Sequence, residues 1–593
     1  MIDLLIRGGT VVDGTGAEPF AADVGVKDGR IVELGRVGRR AHRTLEADGA
    51  LVVPGFVDIH THYDGQASWD ETFSPSVWHG VTTVVTGNCG VGFAPVRFGD
   101  QDRLIALMEG VEEIPGAALA EGIHWNWSSF PDYMEALDAI PHAIDFMTLV
   151  PHDCLRLFVM GDRAARGEPA LAADRDAMAK LLHEALAAGA AGLSIGRTDN
   201  HRTREGARTP GSEADAAELL ALADVFRGLP YRVLHAVADF QCMRGEPAGQ
   251  RERFDAAYAM LESVARLAAR PLALTWLERI NAPEQWRWLA ERAERSVAGG
   301  VDVRLQAASR AIGLLNGLDT SFNALVAFPS YRAIAHLPPT ERAARMREPE
   351  VRERILSEPR TTLSGAGSSV PPLADEILAR IDEVSMLMFP FPAGEHDLPD
   401  YEPDPRTSFG ARARASGARP LALIYDWLAE GQGTNLVYFP IFNYLRGSLD
   451  TVHAMLTHPL ALAALGDAGA HVGTVCDASM PTTLLAHWTR DRRGERIPLP
   501  AAVSMLSARN ARHMGLADRG TVAVGQRADL NLIDPAAIAL EPPRLVRDLP
   551  AGGRRFVQRA RGYLATMVAG EPIVEHGVLT GARPGRLVRS ATR

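Results

Sequence analysis

Residues 54–64 have the sequence Pro-Gly-Phe-Val-Asp-Ile-His-Thr-His-Tyr-Asp, and our prediction of the fold of the 593-residue chain starts from this stretch. A strand alternates its side chains with a period of two, which places Asp58, His60 and His62 on one face. Two imidazoles on one strand face can hold a single divalent metal, with Zn–N bonds of about 2.0–2.1 Å. We therefore predict a metal site where this first strand ends.

Seven further β-rich runs follow the first strand, and several are separated by helical patterns. In residues 173–189, for example, apolar positions recur at i, i+3 and i+4 and Gly189 ends the helix. Alternation of strands with helices predicts an α/β fold, specifically an eight-stranded (β/α)₈ TIM-like barrel. The predicted strands are 56–62, 81–86, 144–150, 192–196, 231–238, 271–276, 301–307 and 464–467.

The two ends of the chain have a different pattern from its centre. Residues 1–53 and 516–593 consist of short strands punctuated by Gly, and Asp28-Gly29 is a hairpin signal. We predict one small β-sandwich built from both ends, around a hydrolase barrel at 54–515. An insertion at 316–420 is too long for an ordinary loop, so we expect it to cover the barrel mouth or to form a subunit interface. As a cover it would supply an acyl pocket from Phe322, Phe328, Tyr331, Met388, Phe389 and Phe391.

Composition excludes several classes of partner. A net charge of −11 argues against nucleic acid and anionic membrane surfaces as partners, and no run of 18 apolar residues occurs. Four cysteines without close pairing fit a reducing cytoplasm. We expect a cytoplasmic protein that acts on a small-molecule substrate, with homo-oligomerisation left open.

Reactive side chains of a (β/α)₈ barrel lie at the C-terminal ends of its strands. Asp467, at the end of the eighth predicted strand, can bind the metal and accept a proton from metal-activated water; the alternative is a helix-capping role. Cys89 stands in a Gly-flanked turn after the second strand and is a candidate soft ligand, or else a buried thiol. His235, in the fifth strand, is either a ligand or a packed core histidine.

Several segments resemble a known family. The run VPGFVDIHTHYD (53–64) is similar to the first barrel strand of the amidohydrolase superfamily of metal-dependent hydrolases. The segment GNCGVGFAPVR (87–97) narrows the resemblance to the N-acyl-D-amino-acid deacylase, or D-aminoacylase, branch. Three further segments match that branch: GLSIGR (192–197), LGDAGAHVG (465–473) and the stretch 506–534.

The resemblance implies a zinc site and a catalytic aspartate. In that branch a cysteine at the position of Cys89 binds zinc, and histidines on strands 5 and 6 supply two more ligands. Strand 6 of this chain, LALTWLER (272–279), has no histidine. We therefore expect one zinc ion rather than two, held by His60, His62 and Asp467, with Cys89 and His235 as candidate fourth ligands.

Arginines near strand ends are candidates for substrate binding, because a guanidinium can bind a carboxylate through two hydrogen bonds. Arg197, directly after strand 4, is the preferred candidate, and Arg156 is another. His152 could stabilise an oxyanion or could only fix its own loop. The arginines considered are Arg156, Arg197, Arg202, Arg204 and Arg279.

The function predicted from these residues is hydrolysis of a linear amide C–N bond by metal-activated water. By resemblance the substrate is an N-acyl-D-amino acid or a related N-acyl amine. One alternative is a cyclic-amide hydrolase or deaminase of the same superfamily, which would share the metal site. An alternative of another class is a catalytically silent barrel with a scaffold role.

Overall fold

A computed structural model describes residues 1–203, 206–242, 248–363, 373–392, 394 and 397–591 of the chain, so Arg204 lies outside the described residues. In chain order the first strands are β1 (Ile2–Val11), β2 (Phe20–Lys27), β3 (Arg30–Gly35), β4 (Ala41–Glu46), β5 (Leu51–Pro54), β6 (Phe56–Asp58), β7 (Val81–Thr86), β8 (Asp145–Thr148), β9 (Val150–Pro151), β10 (Gly192–Arg197), β11 (Val233–Ala238), β12 (Leu272–Trp276) and β13 (Val303–Ala307). The later strands are β14 (Ile312–Asn316), β15 (Phe389–Phe391), β16 (Leu436–Phe442), β17 (Ala461–Ala463), β18 (Leu530–Ile533), β19 (Ala539–Leu540), β20 (Arg544–Leu549), β21 (Gly553–Val557), β22 (Ala560–Arg561), β23 (Tyr563–Val568), β24 (Glu571–Glu575) and β25 (Val578–Leu579).

Helices occupy most of the connections between these strands. In the first half of the chain they are α1 (Gln101–Glu112), α2 (Gly116–Gly122), α3 (Phe130–Asp138), α4 (His152–Met160), α5 (Asp162–Ala165), α6 (Ala172–Ala187), α7 (Ala216–Asp224), α8 (Gln250–Ala268) and α9 (Gln285–Ala298). In the second half they are α10 (Pro329–Ile334), α11 (Pro339–Met346), α12 (Pro349–Ser357), α13 (Leu373–Ala379), α14 (Ile381–Val384), α15 (Phe409–Ser416), α16 (Pro420–Ala429), α17 (Asp450–Leu456), α18 (Met480–Ala486), α19 (Leu499–Leu506) and α20 (Ala508–His513). Among the described residues, none of the helices combines the length and the apolar character needed to cross a lipid bilayer.

Two parallel sheets contain the strands predicted for the barrel. Strands β6, β7 and β8 form one sheet, and the other has the order β17-β13-β12-β11-β10-β9. Only Leu149 separates β8 from β9, and a parallel bridge joins Thr61 to Ala468 at the opposite edges. The predicted α/β fold class is confirmed. The described residues do not form one closed sheet, so closure into a (β/α)₈ barrel stays a prediction.

The first and eighth predicted strands differ from their predicted bounds. Strand β6 ends at Asp58, because the Asp58 carboxylate takes the backbone N–H of His60 at 3.1 Å and removes it from the ladder. The next two amides then bond to different neighbours, Thr61 to Val85 and His62 to Ala468. The eighth strand, β17, ends at Ala463 rather than at 467. His60, His62 and Asp467 therefore lie in the loops that directly follow strands.

The chain ends share one nine-stranded sheet. Its order is β25-β24-β23-β18-β5-β1-β2-β3, with β4 paired to β1. Strand β5, which leads into the metal-site loop, pairs antiparallel with β18, and Leu51 lies opposite Ile533. A second layer, which a β-sandwich requires, stays a prediction.

The long insertion between the seventh and eighth parallel strands has a core of its own. Strands β14, β16 and β15 form an antiparallel sheet in that order, and helices α10–α16 surround it. Buried residues of this core include Leu325, Phe328, Tyr331 and Met388. The insertion is therefore a folded unit that packs beside the parallel strands.

Candidate metal centre

Three side chains that the sequence predicted as ligands meet at one place. One ligand atom from each of His60, His62 and Cys89 lies within 4.8 Å of the others, and all three side chains are at least nine-tenths buried. The Nε2 atom of His60 is 3.4 Å from the Cys89 sulfur. Two imidazole nitrogens and one sulfur at this spacing form a donor set that suits zinc.

Asp467 borders the same place from the opposite side. Its Oδ1 atom is 3.4 Å from Nε2 of His60 and 3.9 Å from Nε2 of His62. The Asp467 side chain remains 18% exposed, whereas those of both histidines are almost fully buried. The carboxylate therefore lies between the ligand atoms and the open cavity described below, where one oxygen could bind a cation and the other could meet a substrate.

Both histidines turn their Nε2 atoms toward the site because their Nδ1 atoms face other groups. Nδ1 of His60 is 2.5 Å from the side-chain oxygen of Gln306, on β13. An amide oxygen only accepts hydrogen bonds, so Nδ1 of His60 carries the proton and Nε2 has a free lone pair. Nδ1 of His62 faces Oε1 of Glu112 at 3.4 Å.

The turn that presents Cys89 depends on its two flanking glycines. Gly87 has a φ of 80°, and a Cβ atom there would lie 2.2 Å from the carbonyl oxygen of Leu149. Gly90 also has a φ of 80°, and its Cβ would lie 2.6 Å from the amide of Gly196. Cys89 itself adopts a left-handed φ of 56°. The turn is tight and strained, and backbone strain of this kind is found at functional sites more than at positions that only pack.

Burial disfavours charge on four acidic groups around the site. It raises the pKa of Cys89 well above its ordinary value, those of Asp58 and Asp64 to about 7, and that of Glu112 to about 8. Burial, together with the neighbouring His60, lowers the pKa of His62. A divalent cation would offset the cost of ionising a buried thiol and carboxylate, and it needs neutral imidazoles. The donor set and its surroundings therefore fit zinc.

His235, predicted as a candidate ligand, contacts other groups. Its Nδ1 atom is 3.0 Å from Oδ1 of Asn88, and its Nε2 atom is 3.1 Å from Nε2 of His513. With both nitrogens engaged, His235 does not belong to the three-residue cluster. The Asn88 amide in turn donates to the carbonyl of Val85 at 2.9 Å. These contacts make His235 a support for the turn that carries Cys89.

A cavity of about 310 Å³ opens above the metal centre. His60, His62, Cys89 and Asp467 lie on its wall. The fifth and sixth parallel strands, β11 and β12, contribute Val237 and Thr275 to this wall rather than histidines. Within the described residues, these two strands thus present no imidazole to the cavity.

The insertion supplies much of the apolar wall of this cavity. Phe322, Ile377 and Val384 come from residues 316–420. Strands β14 and β16, which pair with each other, add Leu314, Phe439 and Ile441. The sequence had suggested six apolar side chains for a pocket: Phe322, Phe328, Tyr331, Met388, Phe389 and Phe391. Of these, Phe322 lines the cavity, whereas the other five pack inside hydrophobic cores. The insertion walls the cavity, but mostly with other residues than those predicted.

Three residues predicted to bind substrate lie elsewhere. His152 Nε2 is 2.7 Å from Oε1 of Glu218, and Arg156 forms a buried ion pair with the same carboxylate. Arg197 donates to the carbonyl of Ala214 at 2.7 Å. None of the three is among the described residues that line the cavity. Their contacts offer no support for a substrate-binding role.

Sequence reasoning missed two residues of the centre. Gln306 is the last residue but one of β13, and a search restricted to titratable and metal-binding groups passes over an amide. Glu112 ends helix α1 beside Glu113, a sequence pattern typical of solvent-exposed acids, yet it is 1% exposed. His471 and His201, which follow the eighth and fourth predicted strands, also line the cavity, and Nδ1 of His471 is 3.1 Å from Oε2 of Glu113.

Comparison with known proteins identifies the family of this chain. A model described as the amidohydrolase family matches residues 43–574. D-aminoacylase of Alcaligenes xylosoxydans xylosoxydans is 39% identical over 197 residues, which cover 33% of this chain and 37% of that protein. N-acyl-D-aspartate deacylase of the same organism is 36% identical over 230 residues, covering 38% of this chain and 41% of the relative. This chain therefore spans only about two fifths of the length of these two deacylases.

A solved structure extends the likeness over the whole chain. The N-acyl-D-glutamate deacylase from Bordetella bronchiseptica, complexed with zinc and a phosphonate inhibitor, superposes with a TM-score of 0.63 at 25% identity. The match covers 99% of this chain and 100% of that one. The resemblance to the D-aminoacylase branch is confirmed, and the chain belongs to the amidohydrolase family.

Proposed function

We propose that this protein is a zinc-dependent amidohydrolase that cleaves the linear amide bond of N-acyl-amino acids, preferentially of the D series. The observation that carries the proposal is the convergence of His60, His62, Cys89 and Asp467 at one end of the 310 Å³ cavity. The D preference rests on what the two deacylases and the zinc-bound structure are named for. We further propose that the eight parallel strands close into a barrel, which would put this centre at its mouth.

His60, His62 and Cys89 would hold one zinc ion, with Asp467 as the fourth group. A bound zinc ion acts as a Lewis acid that polarises a carbonyl and lowers the pKa of water. A single ion is favoured over two because Val237 and Thr275 occupy the cavity-facing positions of β11 and β12. Gln306 and Glu112 would orient the two imidazoles.

Asp467 is suited to carry the proton during hydrolysis. It is the most exposed carboxylate next to the ligand atoms, and its position facing the cavity lets it reach both water and a bound amide. As a general base it would take a proton from the attacking water, and as a general acid it would return that proton to the leaving amine. The apolar wall would exclude other water and hold the acyl compound by burial.

Metal analysis and a substrate panel test this proposal together. The purified protein should contain about one zinc per chain, lose activity on chelation and regain it with zinc. Among N-acetyl-D-amino acids, N-acetyl-L-amino acids and cyclic amides such as hydantoins, the D series should turn over fastest. Preferential opening of cyclic amides would instead assign the second enzyme class, and a zinc-free, inactive protein would favour the scaffold role.

A further inference from the structure

One buried arginine on the cavity wall has no partner for its charge among the residues that the structure describes. Arg279 follows β12, is 2% exposed and lines the cavity that holds the metal centre. Its Nη2 atom donates one long hydrogen bond, 3.4 Å, to the carbonyl of Ala238. Its Nη1 atom has no hydrogen-bond partner among the described residues. The guanidinium carbon lies 5.2 Å from the centre of the Phe442 ring, which orients the group.

Neighbouring carboxylates do not neutralise this cation directly. In the described part of the chain, no Asp or Glu oxygen lies within 4.0 Å of the Arg279 guanidinium. Asp239 is close enough to influence it, but its oxygens already accept bonds from the amide of Asp199 at 2.6 Å and that of Gln241 at 2.8 Å. A buried charge without a partner is costly, so a group at this position is expected to meet an anion that arrives from outside.

The other cationic groups on the cavity wall are already paired. Arg380 forms an ion pair with Glu383 at 2.8 Å. His471 lies 3.1 Å from Glu113 and 3.7 Å from Glu112. Arg279 is therefore the buried arginine of the described cavity wall that remains available to an incoming anion.

We propose that Arg279 binds the carboxylate of a substrate that has one negative charge and is otherwise apolar. This inference rests on the proposed function and names its substrate class: N-acyl derivatives of apolar amino acids. The cavity wall supports an otherwise apolar substrate, since Leu314, Phe322, Phe439 and Ile441 offer no partner for a second carboxylate. Glu113 on the same wall would repel one. The preference would differ from that of deacylases named for N-acyl-D-aspartate and N-acyl-D-glutamate.

The test compares a carboxylate with its neutral analogue. N-acetyl-D-leucine and N-acetyl-D-leucinamide differ at the group that Arg279 would bind and share the amide to be cleaved. In Arg279→Gln, kcat/KM for the acid should fall roughly 10- to 150-fold, the value of charge-assisted hydrogen bonds, and that for the leucinamide should change less than about threefold. Arg279→Lys should recover part of the loss, because it keeps the charge but not the planar fork. Arg380→Gln, at a paired arginine of the same wall, is the matched control and should keep the acid-to-amide ratio.

Several outcomes would overturn the inference, and they differ from failure of the proposed function. Zinc content and melting temperature first establish that each variant is folded and loaded. Equal loss on both substrates in a zinc-loaded Arg279→Gln protein would make Arg279 a structural residue. Faster turnover of N-acetyl-D-aspartate than of N-acetyl-D-leucine by the unmodified protein would refute the apolar class. If the zinc-loaded protein hydrolyses neither leucine compound, the proposed deacylase function is wrong. Calorimetry then tests the role of Arg279 separately. The inference about Arg279 requires that the unmodified protein bind N-acetyl-D-leucine more tightly than N-acetyl-D-leucinamide.

Discussion

Nδ1 of His60 and the side-chain oxygen of Gln306 lie 2.5 Å apart in the buried interior of the parallel strands. The first residue follows β6 and the second lies near the end of β13, so the hydrogen bond ties the first metal-site loop to the seventh strand. It fixes both the proton position and the rotation of the imidazole. The free Nε2 then faces the Cys89 sulfur and Asp467.

Gln306→Leu should weaken zinc binding about 10- to 100-fold, the usual effect of removing a group that orients a histidine ligand. Competition with a chromophoric chelator measures the affinity directly. Gln306→Glu keeps an acceptor oxygen and should retain more of the affinity. If Gln306→Leu binds zinc as tightly as the unmodified protein, the hydrogen bond does not orient the ligand.

Asp467→Asn should fold normally, because the two side chains have nearly the same shape, while kcat for an N-acyl-amino acid falls by about 10²–10⁴. An amide cannot accept and return the proton. Zinc content and melting temperature, measured on the same preparation, separate loss of catalysis from loss of the metal. Ordinary turnover by a zinc-loaded Asp467→Asn protein would assign proton transfer to another residue, His471 first.

Cys89→Ser should remove the sulfur from the metal site and lower zinc affinity. In cobalt-substituted protein, a thiolate ligand gives a charge-transfer absorption that a hydroxyl does not. We expect this band in the unmodified protein and its loss in Cys89→Ser. Cys242→Ser, at another buried cysteine that is outside the cluster, is the control and should keep the band. A band that survives Cys89→Ser would exclude Cys89 as a ligand.

His235→Leu should keep about one zinc per chain but lower thermal stability. The substitution leaves Oδ1 of Asn88 and Nε2 of His513 without their present partner, and each buried unpaired group costs about 1–3 kcal/mol. Elemental analysis and thermal unfolding give the two quantities. Loss of the bound zinc from a folded His235→Leu protein would return His235 to the ligand set.

Glu402 should contribute stability that is lost in acid. Burial raises the pKa of Glu402, but hydrogen bonds from His487 and Arg492 outweigh this effect and lower the pKa to about 2. The pKa of an unfolded Glu is about 4.3, so the stabilisation is complete above that pH and declines as the pH falls toward 2. The difference in unfolding free energy between the unmodified protein and Glu402→Gln should therefore narrow below about pH 4.

Urea unfolding across this pH range measures that difference. Glu495→Gln, at a carboxylate that is 83% exposed, is the control and should change stability little at any pH. A constant difference between the unmodified protein and Glu402→Gln would show that the ionised form of Glu402 does not stabilise the fold.

The sequence was most informative where chemistry is local. The alternation around His60 and His62 and the glycines around Cys89 are short-range patterns, and these three side chains do converge. The prediction of helix 173–189 held for the same reason, since α6 covers most of it. The strand bounds near the site were less accurate, because the Asp58 side chain ends β6 by taking an amide from the ladder.

Partners distant along the chain could not be predicted in this way. Arg197 and Arg279 both stand at or just after strand ends, and nothing in their local sequence separates them. The structure distinguishes them by what surrounds each. Arg197 donates to the Ala214 carbonyl, whereas Nη1 of Arg279, on the cavity wall, has no hydrogen-bond partner in the described part of the chain. The same holds for His235, whose role depends on Asn88 and on His513, far along the chain.

The pairing of β5 with β18 has a consequence for biosynthesis. Strand β5 precedes β6 and the loop of His60 and His62, yet its antiparallel neighbour, residues 530–533, is synthesised much later. The nascent chain therefore cannot complete the pairing of β5 until residues 530–533 have left the ribosome. Contacts between such distant segments also slow folding. Stable zinc binding should require synthesis past residue 533, and a chain truncated before residue 530 should accumulate as an aggregation-prone form in which β5 pairs with β1 alone and its other edge is unpaired.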